Sequence, residues 1–323
     1  MELREQLGIP EWVPDNIRIL HSGSYEEWQG RRFSGLGGSD VSTIFGVNPY
    51  RDKYTLWAEK TGRAAPPVET SLMRFGQVNE KLVREEYERR NEVTVWNDPL
   101  VTLQHPEDDW WRYSPDGLVV ETPRLFEAKT ARRWTEWSDG ASDHSEAQVN
   151  GGMALIGLPH MDAGIMVMVA GDPENMQQFT IPYNQRAADI VREEIARFWH
   201  DHSVKDVPPE PDYRALDALL GTYSSTIQDS TLVSEDAEVA AAVDDYRRGR
   251  EMVKEGERIR DTAKAKLLLA AGEYESIESP DGDLLYTYKS QVSRRVTNKG
   301  LLDAGLDPED YKTETTSRVL RVK

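Results

Sequence analysis

The chain has 323 residues, of which 38% are hydrophobic and 30% are charged, so it can bury a core and stay soluble. It contains no cysteine, which excludes disulfides, thiolate zinc sites, iron–sulfur clusters and a cysteine nucleophile. The six histidines form no recognisable metal spacing, so any metal is expected to be a hard ion with oxygen ligands, such as Mg²⁺ or Mn²⁺.

The formal net charge of −18 counts mildly against a passive, non-specific nucleic-acid binder. It says little against an enzyme, because a binding groove responds to its local field rather than to the total charge. The first ten residues mix charges with isolated apolar side chains and do not resemble a signal peptide. No apolar run approaches the roughly 20 residues of a membrane helix. We therefore expect a cytoplasmic protein without a membrane partner.

In chain order, the spacing of apolar residues first predicts helices at Asp40–Ile44, Tyr54–Lys60 and Phe75–Arg90. The apolar stripe of the third helix is expected to comprise Phe75, Val78, Leu82, Val83 and Tyr87. From Val93 to Glu127, short β-branched and aromatic runs broken by Pro and Gly predict strands.

A helix is predicted next at Ser145–Ile156, followed by strands at Ala163–Ala170 and Gln178–Tyr183. An amphipathic helix is predicted at Gln185–Asp201, and its stripe is expected to comprise Ile190, Ile195, Phe198 and Trp199. Strands that alternate with helices predict an α/β (α+β) fold, in which a central mixed sheet is flanked by helices.

Pro208, Pro209 and Pro211 mark a boundary. We expect a core at residues 1–210, a linker at 211–232 and an accessory region at 233–323, to which no motif assigns a role. Ser234 is expected to cap a long helix that ends near Ala271. Asp281-Gly282 then predicts a β-hairpin. Ordinary packing is expected of the helix's apolar stripe, which comprises Val239, Val243, Tyr246, Val253, Ile259, Ala263 and Leu267.

The segment Ser114–Gly117 carries the clearest chemical signal. Eleven residues after Asp116, the chain continues with Glu127-Ala128-Lys129. A hairpin with its turn near Thr122-Pro123 is expected to bring both parts together. Residues i and i+2 of a strand face the same side, so Glu127 and Lys129 should both point toward Asp116.

This set suits phosphodiester hydrolysis. Two carboxylates can hold a divalent ion that lowers the pKa of a bound water, and the backbone carbonyl of Ala128 can also reach such an ion. The ammonium of Lys129 can orient that water or stabilise the charge of the transition state. Turn formation is the alternative, and it is the interpretation of a second Pro-Asp-Gly at Pro280–Gly282, which no Glu-x-Lys follows.

These residues resemble the PD-(D/E)xK nuclease superfamily, and within it the YqaJ-type viral recombinases, a family that includes bacteriophage lambda exonuclease. The similarity spans about residues 22–210 and implies a restriction-endonuclease-like fold. One departure is that the stretch from Asp116 to Glu127 is a residue longer than in the lambda enzyme. Further similar segments are Arg32–Asp40, Asn48–Tyr50, Leu56–Gly62, Gly76–Glu80, Ala147–Val149 and Phe198-Trp199 with Pro208-Pro209.

The resemblance implies a metal held by Asp116, Glu127 and the Ala128 carbonyl, with Glu80 helping to bind a second ion. The metal would be Mg²⁺, with Mn²⁺ able to replace it. Lys129 would activate the attacking water, and Gln148 completes the implied catalytic set. Taken alone, Glu80 fits a solvated helix face and Gln148 an ordinary polar helix residue.

The resemblance also implies a 5′-phosphate pocket formed by Arg32, Ser39, Ser114 and Gln148. Its chemistry is reasonable, since arginine forks onto phosphate and Ser39 would lie at a helix N-terminus, where amides favour anions. The alternative for Gly35–Ser39 is a tight turn with a helix cap. Arg51 is similar to a residue that helps to split the duplex.

The expected function is therefore an exonuclease that digests one strand of double-stranded DNA from a 5′-phosphorylated end. The family implies 5′→3′ polarity, mononucleotide products, a homotrimer and a single-strand annealing partner in phage-type recombination. One alternative is an endonuclease or helicase-coupled nuclease of the same fold. The other is a catalytically silent DNA-binding or assembly protein.

Overall fold

The computed structural model describes residues 2–65, 69–225, 231–292 and 297–312. The chain divides into two compact units, residues 1–223 and residues 224–323. No helix within the described ranges is both long and apolar enough to cross a membrane.

The first unit combines helices with two sheets. Its helices are α1 (Glu2–Leu7), α2 (Tyr25–Phe33), α3 (Gly38–Ile44), α4 (Lys53–Lys60), α5 (Ser71–Asn91), α6 (Asp143–Ile156), α7 (Gln185–Phe198) and α8 (Leu216–Thr222). Its strands are β1 (Arg18–His21), β2 (Val95–Trp96), β3 (Val101–Gln104), β4 (Arg112–Tyr113), β5 (Gly117–Val119), β6 (Arg124–Ala131), β7 (Asp162–Val169) and β8 (Met176–Pro182).

The central sheet has five strands in the order β2-β5-β6-β7-β8. Strands β6 and β7 are parallel, and the other neighbours are antiparallel. Parallel neighbours require a crossover connection, which α6 provides between β6 and β7. A smaller antiparallel sheet has the strand order β1-β3-β4, and β5 of the central sheet follows β4 along the chain.

Alternate residues of β6 point to opposite faces of the sheet, as strand geometry requires. Leu125 packs into one buried cluster with Met153 of α6, and Phe126 packs into a second with Tyr87 of α5. Helices therefore cover both faces of a mixed sheet, and the predicted fold class is confirmed. Both adjacent tryptophans before β4, Trp110 and Trp111, are buried in the first cluster.

Two of the predicted apolar stripes are only partly buried. In α5, Val83 and Tyr87 are buried in the cluster that packs against the sheet, whereas Phe75, Val78 and Leu82 are exposed. In α7, Ile190 is exposed. The buried stripe there is Ala188, Val191, Ile195 and Phe198.

The boundary of the first unit lies later than residue 210. A 3₁₀ turn at Tyr213–Ala215 and α8 belong to this unit. The backbone N–H of Asp212 donates to Asp52 at 3.0 Å, Arg214 donates to the carbonyl of Asn48, and Ala215 is fully buried. Residues 211–223 are therefore packed structure, not a linker.

The second unit contains α9 (Ala237–Ala271), strands β9 (Ser276–Glu278) and β10 (Leu284–Thr287), and α10 (Asn298–Asp303). The cap of α9 is Asp236, which replaces the predicted Ser234. The predicted hairpin is confirmed, because β9 and β10 pair antiparallel and Gly282 takes a positive φ of 89° in the turn. The expected packing of the α9 stripe is not observed, since Val239, Val253 and Ile259 are exposed.

Candidate active site and phosphate pocket

The β5–β6 hairpin brings the predicted triad together. Asp116 directly precedes β5, and the pairing of Gly117 with Phe126 sets it opposite the segment that begins at Glu127. A carboxylate oxygen of Asp116 accepts a hydrogen bond from the backbone N–H of Ala128 at 2.9 Å. The same backbone register that forms the sheet therefore fixes the first carboxylate beside the second.

Glu127, Lys129 and Gln148 form a closed polar network. The ammonium of Lys129 donates to Oε1 of Glu127 and, at 3.0 Å, to the amide oxygen of Gln148. The amide nitrogen of Gln148 donates to the same Glu127 oxygen at 2.6 Å. Glu127 is fully buried, and Gln148 reaches it from α6 because that helix packs across β6.

Negative charge is concentrated at this site. Burial, and secondarily the nearby Asp116, raises the pKa of Glu127 to about 8. Burial and Asp116 also raise the pKa of Glu80 on α5 to about 7. Burial alone would lower the pKa of Lys129, but Glu127 and Asp116 outweigh it and raise the value. Carboxylates that repel one another in this way favour a bound cation.

The donor set fits a hard divalent cation, since it consists of carboxylate oxygens that need positive charge beside them. Asp116 and Glu127 are the side chains that would hold such an ion, with Glu80 within electrostatic range of Asp116. Within the described ranges, no group of three or more His, Cys, Asp or Glu side chains stands ready to enclose a metal. The role of the Ala128 carbonyl as a ligand stays a prediction.

A pocket of about 150 Å³ opens directly beside Asp116. All of the residues predicted to bind the 5′-phosphate line it, namely Arg32, Ser39, Ser114 and Gln148. Arg32 comes from the last turn of α2, Ser39 from the first turn of α3, and Ser114 from the segment between β4 and β5. The guanidinium of Arg32 donates to the hydroxyl of Ser39 at 3.1 Å.

Trp28 is a pocket residue that the sequence reasoning missed. Its ring lies 4.9 Å from the guanidinium carbon of Arg32, and its indole N–H donates to the hydroxyl of Ser114 at 3.2 Å. Trp28 and Arg32 are four residues apart on α2, so the helical i, i+4 spacing was a usable signal. Thr102, whose hydroxyl lies 2.8 Å from that of Ser114, carried no comparable signal.

Tyr113 is a second missed residue. Its hydroxyl lies 3.5 Å from Oε2 of Glu127, and burial followed by the charges of Glu127 and Asp116 raises its pKa. A Cβ added at Gly38 or at Gly152 would lie 2.5 Å from the Tyr113 ring. The two glycines therefore let α3 and α6 pack closely around a fully buried tyrosine whose hydroxyl lies beside Glu127.

Arg51 does not line the pocket. Its guanidinium donates to Asp40 at 2.5 Å and to Glu59 at 2.7 Å, in a buried group of charges behind the pocket. These two carboxylates neutralise the positive charge of Arg51, which the family resemblance predicts to contact DNA. The structure therefore provides no support for the predicted contact of Arg51 with the duplex.

A second, larger cavity is lined by Lys129. This groove has a volume of about 1140 Å³. Its lining includes the arginines Arg132 and Arg133, the aspartates Asp139 and Asp143, and the ring side chains of Tyr50, Phe75, Trp137 and His144. Lys129 thus lines a groove of mixed charge and also bonds to Gln148, which lines the small pocket.

Residues 27–158 match the sequence profile of the YqaJ-like viral recombinase domain. The chain is 27% identical over 314 residues to the uncharacterized protein YqaJ of Bacillus subtilis (strain 168). This alignment covers 93% of the present chain and 94% of that protein. It is 31% identical over 93 residues to the uncharacterized protein R354 of Acanthamoeba polyphaga mimivirus, or 29% of this chain and 17% of that protein.

Among solved structures, an alkaline exonuclease (LHK-Exo) from Laribacter hongkongensis is similar with a TM-score of 0.47 and 21% identity, over 56% of this chain and 93% of that one. A phage related exonuclease from Haemophilus somnus 129PT has a TM-score of 0.41 and 10% identity, over 53% of this chain and 96% of that one. The matched residues 27–158 include every predicted site residue from Arg32 to Gln148. The predicted resemblance to the YqaJ-type viral recombinases is therefore confirmed for residues 27–158, which match the model of that family.

Proposed function

We propose that this chain is a metal-dependent deoxyribonuclease that digests one strand of linear double-stranded DNA from a 5′-phosphorylated end. The observation that carries the proposal is that Asp116 lines the same pocket as Arg32, Ser39 and Ser114. A terminal phosphate bound by these donors would lie directly beside the carboxylate cluster. Family membership of residues 27–158 supports the same class of activity.

The proposed cofactor is Mg²⁺, with Mn²⁺ able to replace it. Asp116 and Glu127 would hold the ion, and Glu80 is placed to assist at a second ion. When bound, the metal supplies charge neutralisation on the phosphate and a more acidic water. Because burial and Asp116 raise the pKa values of Glu80 and Glu127, metal binding should be weaker in acid, where these carboxyls keep their protons.

The side chains of the chain itself have separate roles in this scheme. Lys129 holds a positive charge where negative charge builds up on the phosphate oxygens, and such preorganised charge is effective in a water-poor site. Gln148 orients Lys129 and Glu127 through its amide, since it bonds to both. Arg32 remains available for phosphate, since its contacts with Ser39 and Trp28 leave its charge uncancelled.

The finer properties follow from the family. We include in the proposal 5′→3′ polarity, release of mononucleotides, a homotrimer, and cooperation with a single-strand annealing protein in phage-type recombination. Support from this chain itself is limited to the groove beside Lys129, where Arg132 and Arg133 offer positive charge to a polyanion.

The direct experiment incubates the protein with Mg²⁺ and linear duplex DNA that carries either 5′-phosphate or 5′-hydroxyl ends. We expect nucleotide release from the phosphorylated ends, and a loss of at least about 1000-fold in Asp116→Ala and Lys129→Ala, because each removes charge from the reacting centre. Asp98→Ala, which changes an acid outside the pocket, serves as the matched control.

Closed circular DNA separates the proposal from its rival within the nucleases. An enzyme that starts at ends leaves closed circles intact, whereas an endonuclease converts them to linear and shorter forms. Equal activity on closed circles and linear duplex would contradict the exonuclease. Full activity in Asp116→Ala would contradict the site.

A further inference from the structure

Behind the phosphate pocket lies a cluster of four charged side chains that the proposed reaction does not use, namely Asp40, Arg51, Glu59 and Lys60. The side chains of Asp40 and Lys60 are only 5% and 6% exposed. Removing charges from water is costly unless each is paired and hydrogen-bonded, so a cluster of this kind needs a reason beyond stability.

Lys60 connects this cluster to two pieces of backbone. Its ammonium donates to Oδ2 of Asp40 at 2.8 Å and to the carbonyl oxygen of Arg32 at 2.6 Å. The carbonyl of Arg32 lies in the last turn of α2, where helix carbonyls lack an intrahelical partner. Lys60 therefore caps the end of α2 at the residue that supplies the guanidinium of the pocket.

Asp40 provides the second half of the connection. The same Oδ2 atom that binds Lys60 accepts a hydrogen bond from the backbone N–H of Gly37 at 2.8 Å, and its other oxygen accepts from Arg51. Gly37 is the N-cap of α3, whose first turn contains Ser39. One ammonium thus joins the end of α2 to the start of α3 through a single carboxylate.

Charge matters here as well as geometry, because Asp40 itself lines the pocket. Burial alone would raise the pKa of Asp40, but the charges of Lys60 and then Arg51 outweigh it and hold the pKa well below its usual range. The carboxylate is therefore ionised next to the place where a phosphate would bind. Lys60 and Arg51 cancel a charge that would otherwise repel the phosphate.

We propose that Lys60 is a positioning residue for the phosphate pocket, which fixes Arg32 relative to Ser39 and neutralises Asp40 so that the pocket accepts a terminal phosphate. The inference rests on the proposed function for the identity of the ligand, a 5′-phosphate on DNA. Lys60 itself is absent from the pocket wall, and it acts through Arg32, Gly37 and Asp40.

The test compares three variants of the full chain. Lys60→Met keeps the aliphatic stem and removes both the charge and the donor, Lys60→Gln keeps a donor without the charge, and Lys60→Arg keeps the charge in a larger planar group. The control is Arg124→Met, which breaks a partly buried ion pair with Asp162 at the other end of β6 from Lys129.

The readout is the ratio of kcat/KM on 5′-phosphorylated to that on 5′-hydroxyl linear duplex, with melting temperatures measured in parallel. We expect Lys60→Met to lower this ratio by at least 10-fold, mainly through KM for the phosphorylated ends, while the rate on hydroxyl ends changes less than about 3-fold. Lys60→Gln should lower it less, and Lys60→Arg least. Arg124→Met should lower the melting temperature and leave the ratio unchanged.

A merely structural role would lower both rates together and leave the ratio at its wild-type value, which would overturn the inference. If Lys60→Met does not fold, the ratio of kcat/KM values is compared between wild type and Lys60→Gln, which keeps a side-chain donor. An unchanged ratio in a folded Lys60→Gln with Lys60→Arg also unchanged would equally overturn it.

Binding without chemistry separates this inference from the proposed function. The probe is a DNA hairpin with one free end, bearing 5′-phosphate or 5′-hydroxyl, and a dye in its loop, titrated into Asp116→Ala and Asp116→Ala/Lys60→Met. If the wild-type protein cuts neither substrate, while Asp116→Ala binds phosphorylated ends more tightly than hydroxyl ends and Asp116→Ala/Lys60→Met does not, the nuclease is contradicted and the role of Lys60 is supported. Preferential cutting that survives Lys60→Met would support the nuclease and contradict Lys60. No preference in either assay would contradict both.

Discussion

At the scale of single residues, Glu127 is a fully buried carboxylate that is held by Lys129, Gln148 and Tyr113. The amide of Gln148 has both a donor and an acceptor, so it bonds to the carboxylate of Glu127 and the ammonium of Lys129 at once. We therefore expect Gln148 to orient Glu127 and Lys129. The spacing of residues along α6 does not predict these two contacts.

Replacing Gln148 should therefore affect turnover more than stability. We expect Gln148→Ala to lower kcat by about 10- to 100-fold, the usual effect of losing a residue that orients a metal or catalytic ligand. Steady-state kinetics with phosphorylated duplex provides the measurement. Asn150→Ala on the same helix, whose side chain bonds only to the carbonyl of Glu146, is the control and should keep near wild-type kcat.

His144 gives a pH dependence of folding. Burial, followed by the charges of Lys129 and Arg51, lowers its pKa to about 4, whereas an unfolded histidine titrates near 6.5. Between these values the unfolded chain binds more protons, so the native state loses stability as the pH falls from about 6.5 to about 4.

We expect His144→Asn to be less sensitive to acid across that window, with a difference in unfolding free energy of at most about 3 kcal/mol. Urea unfolding of both proteins at pH 7 and pH 4.5 measures it, and the five other histidines are common to both. Parallel pH profiles of the two proteins would show that His144 is not the responsible group.

At the scale of elements, the site depends on how closely α3 and α6 approach each other. The ring of Tyr113 lies between Gly38 and Gly152, and an added Cβ at Gly151 would lie 2.6 Å from Val41. Helices can pack this tightly only where the contacting residues lack side chains, so these glycines set the position of Gln148 over β6.

Gly152→Ala should destabilise the protein by about 1 to 3 kcal/mol, the typical cost of overpacking a core, because the buried Tyr113 ring has no space into which to move. Gly30→Ala is the matched control, since no atom lies within 4 Å of its added Cβ in α2. Alanine in that exposed helix should stabilise by about 0.5 to 1 kcal/mol. Thermal unfolding of both variants decides, and a neutral Gly152→Ala would refute this account of the packing.

At the scale of the whole molecule, the end of the first unit is set by packing. Ala215 is fully buried in the main core, and the 3₁₀ turn that contains it is held to the loop before α4 through Asp52 and Asn48. The proline-rich segment at residues 208–211 is thus a bend within the first unit, although its composition is typical of a boundary.

Truncation tests this boundary. A chain ending at Ser225 should fold and unfold cooperatively, whereas one ending at Glu210 should be less stable by at least about 2 kcal/mol, because it exposes core surface and removes the hydrogen bond to Oδ2 of the buried Asp52. Chemical denaturation of both fragments measures the difference. Equal stability of the two fragments would restore the boundary at residue 210.

The sequence by itself determined the features that depend on local spacing. Asp116 and the Glu127-Ala128-Lys129 segment are joined by one hairpin, so strand alternation and a short turn suffice to predict their meeting. The motif similarity also predicted that Arg32, Ser39, Ser114 and Gln148 belong together, and the structure places all four on one pocket.

Only the tertiary structure decided which charges and stripes have partners. Phe75 and Val83 belong to the same predicted apolar stripe of α5. Only Val83 is buried, because burial depends on the element that packs opposite each residue. The sequence likewise does not show that Arg51 and Lys60 share one acidic partner. In the folded protein Asp40 forms ion pairs with both Arg51 and Lys60, because ion pairing depends on contact in space and not on proximity along the chain.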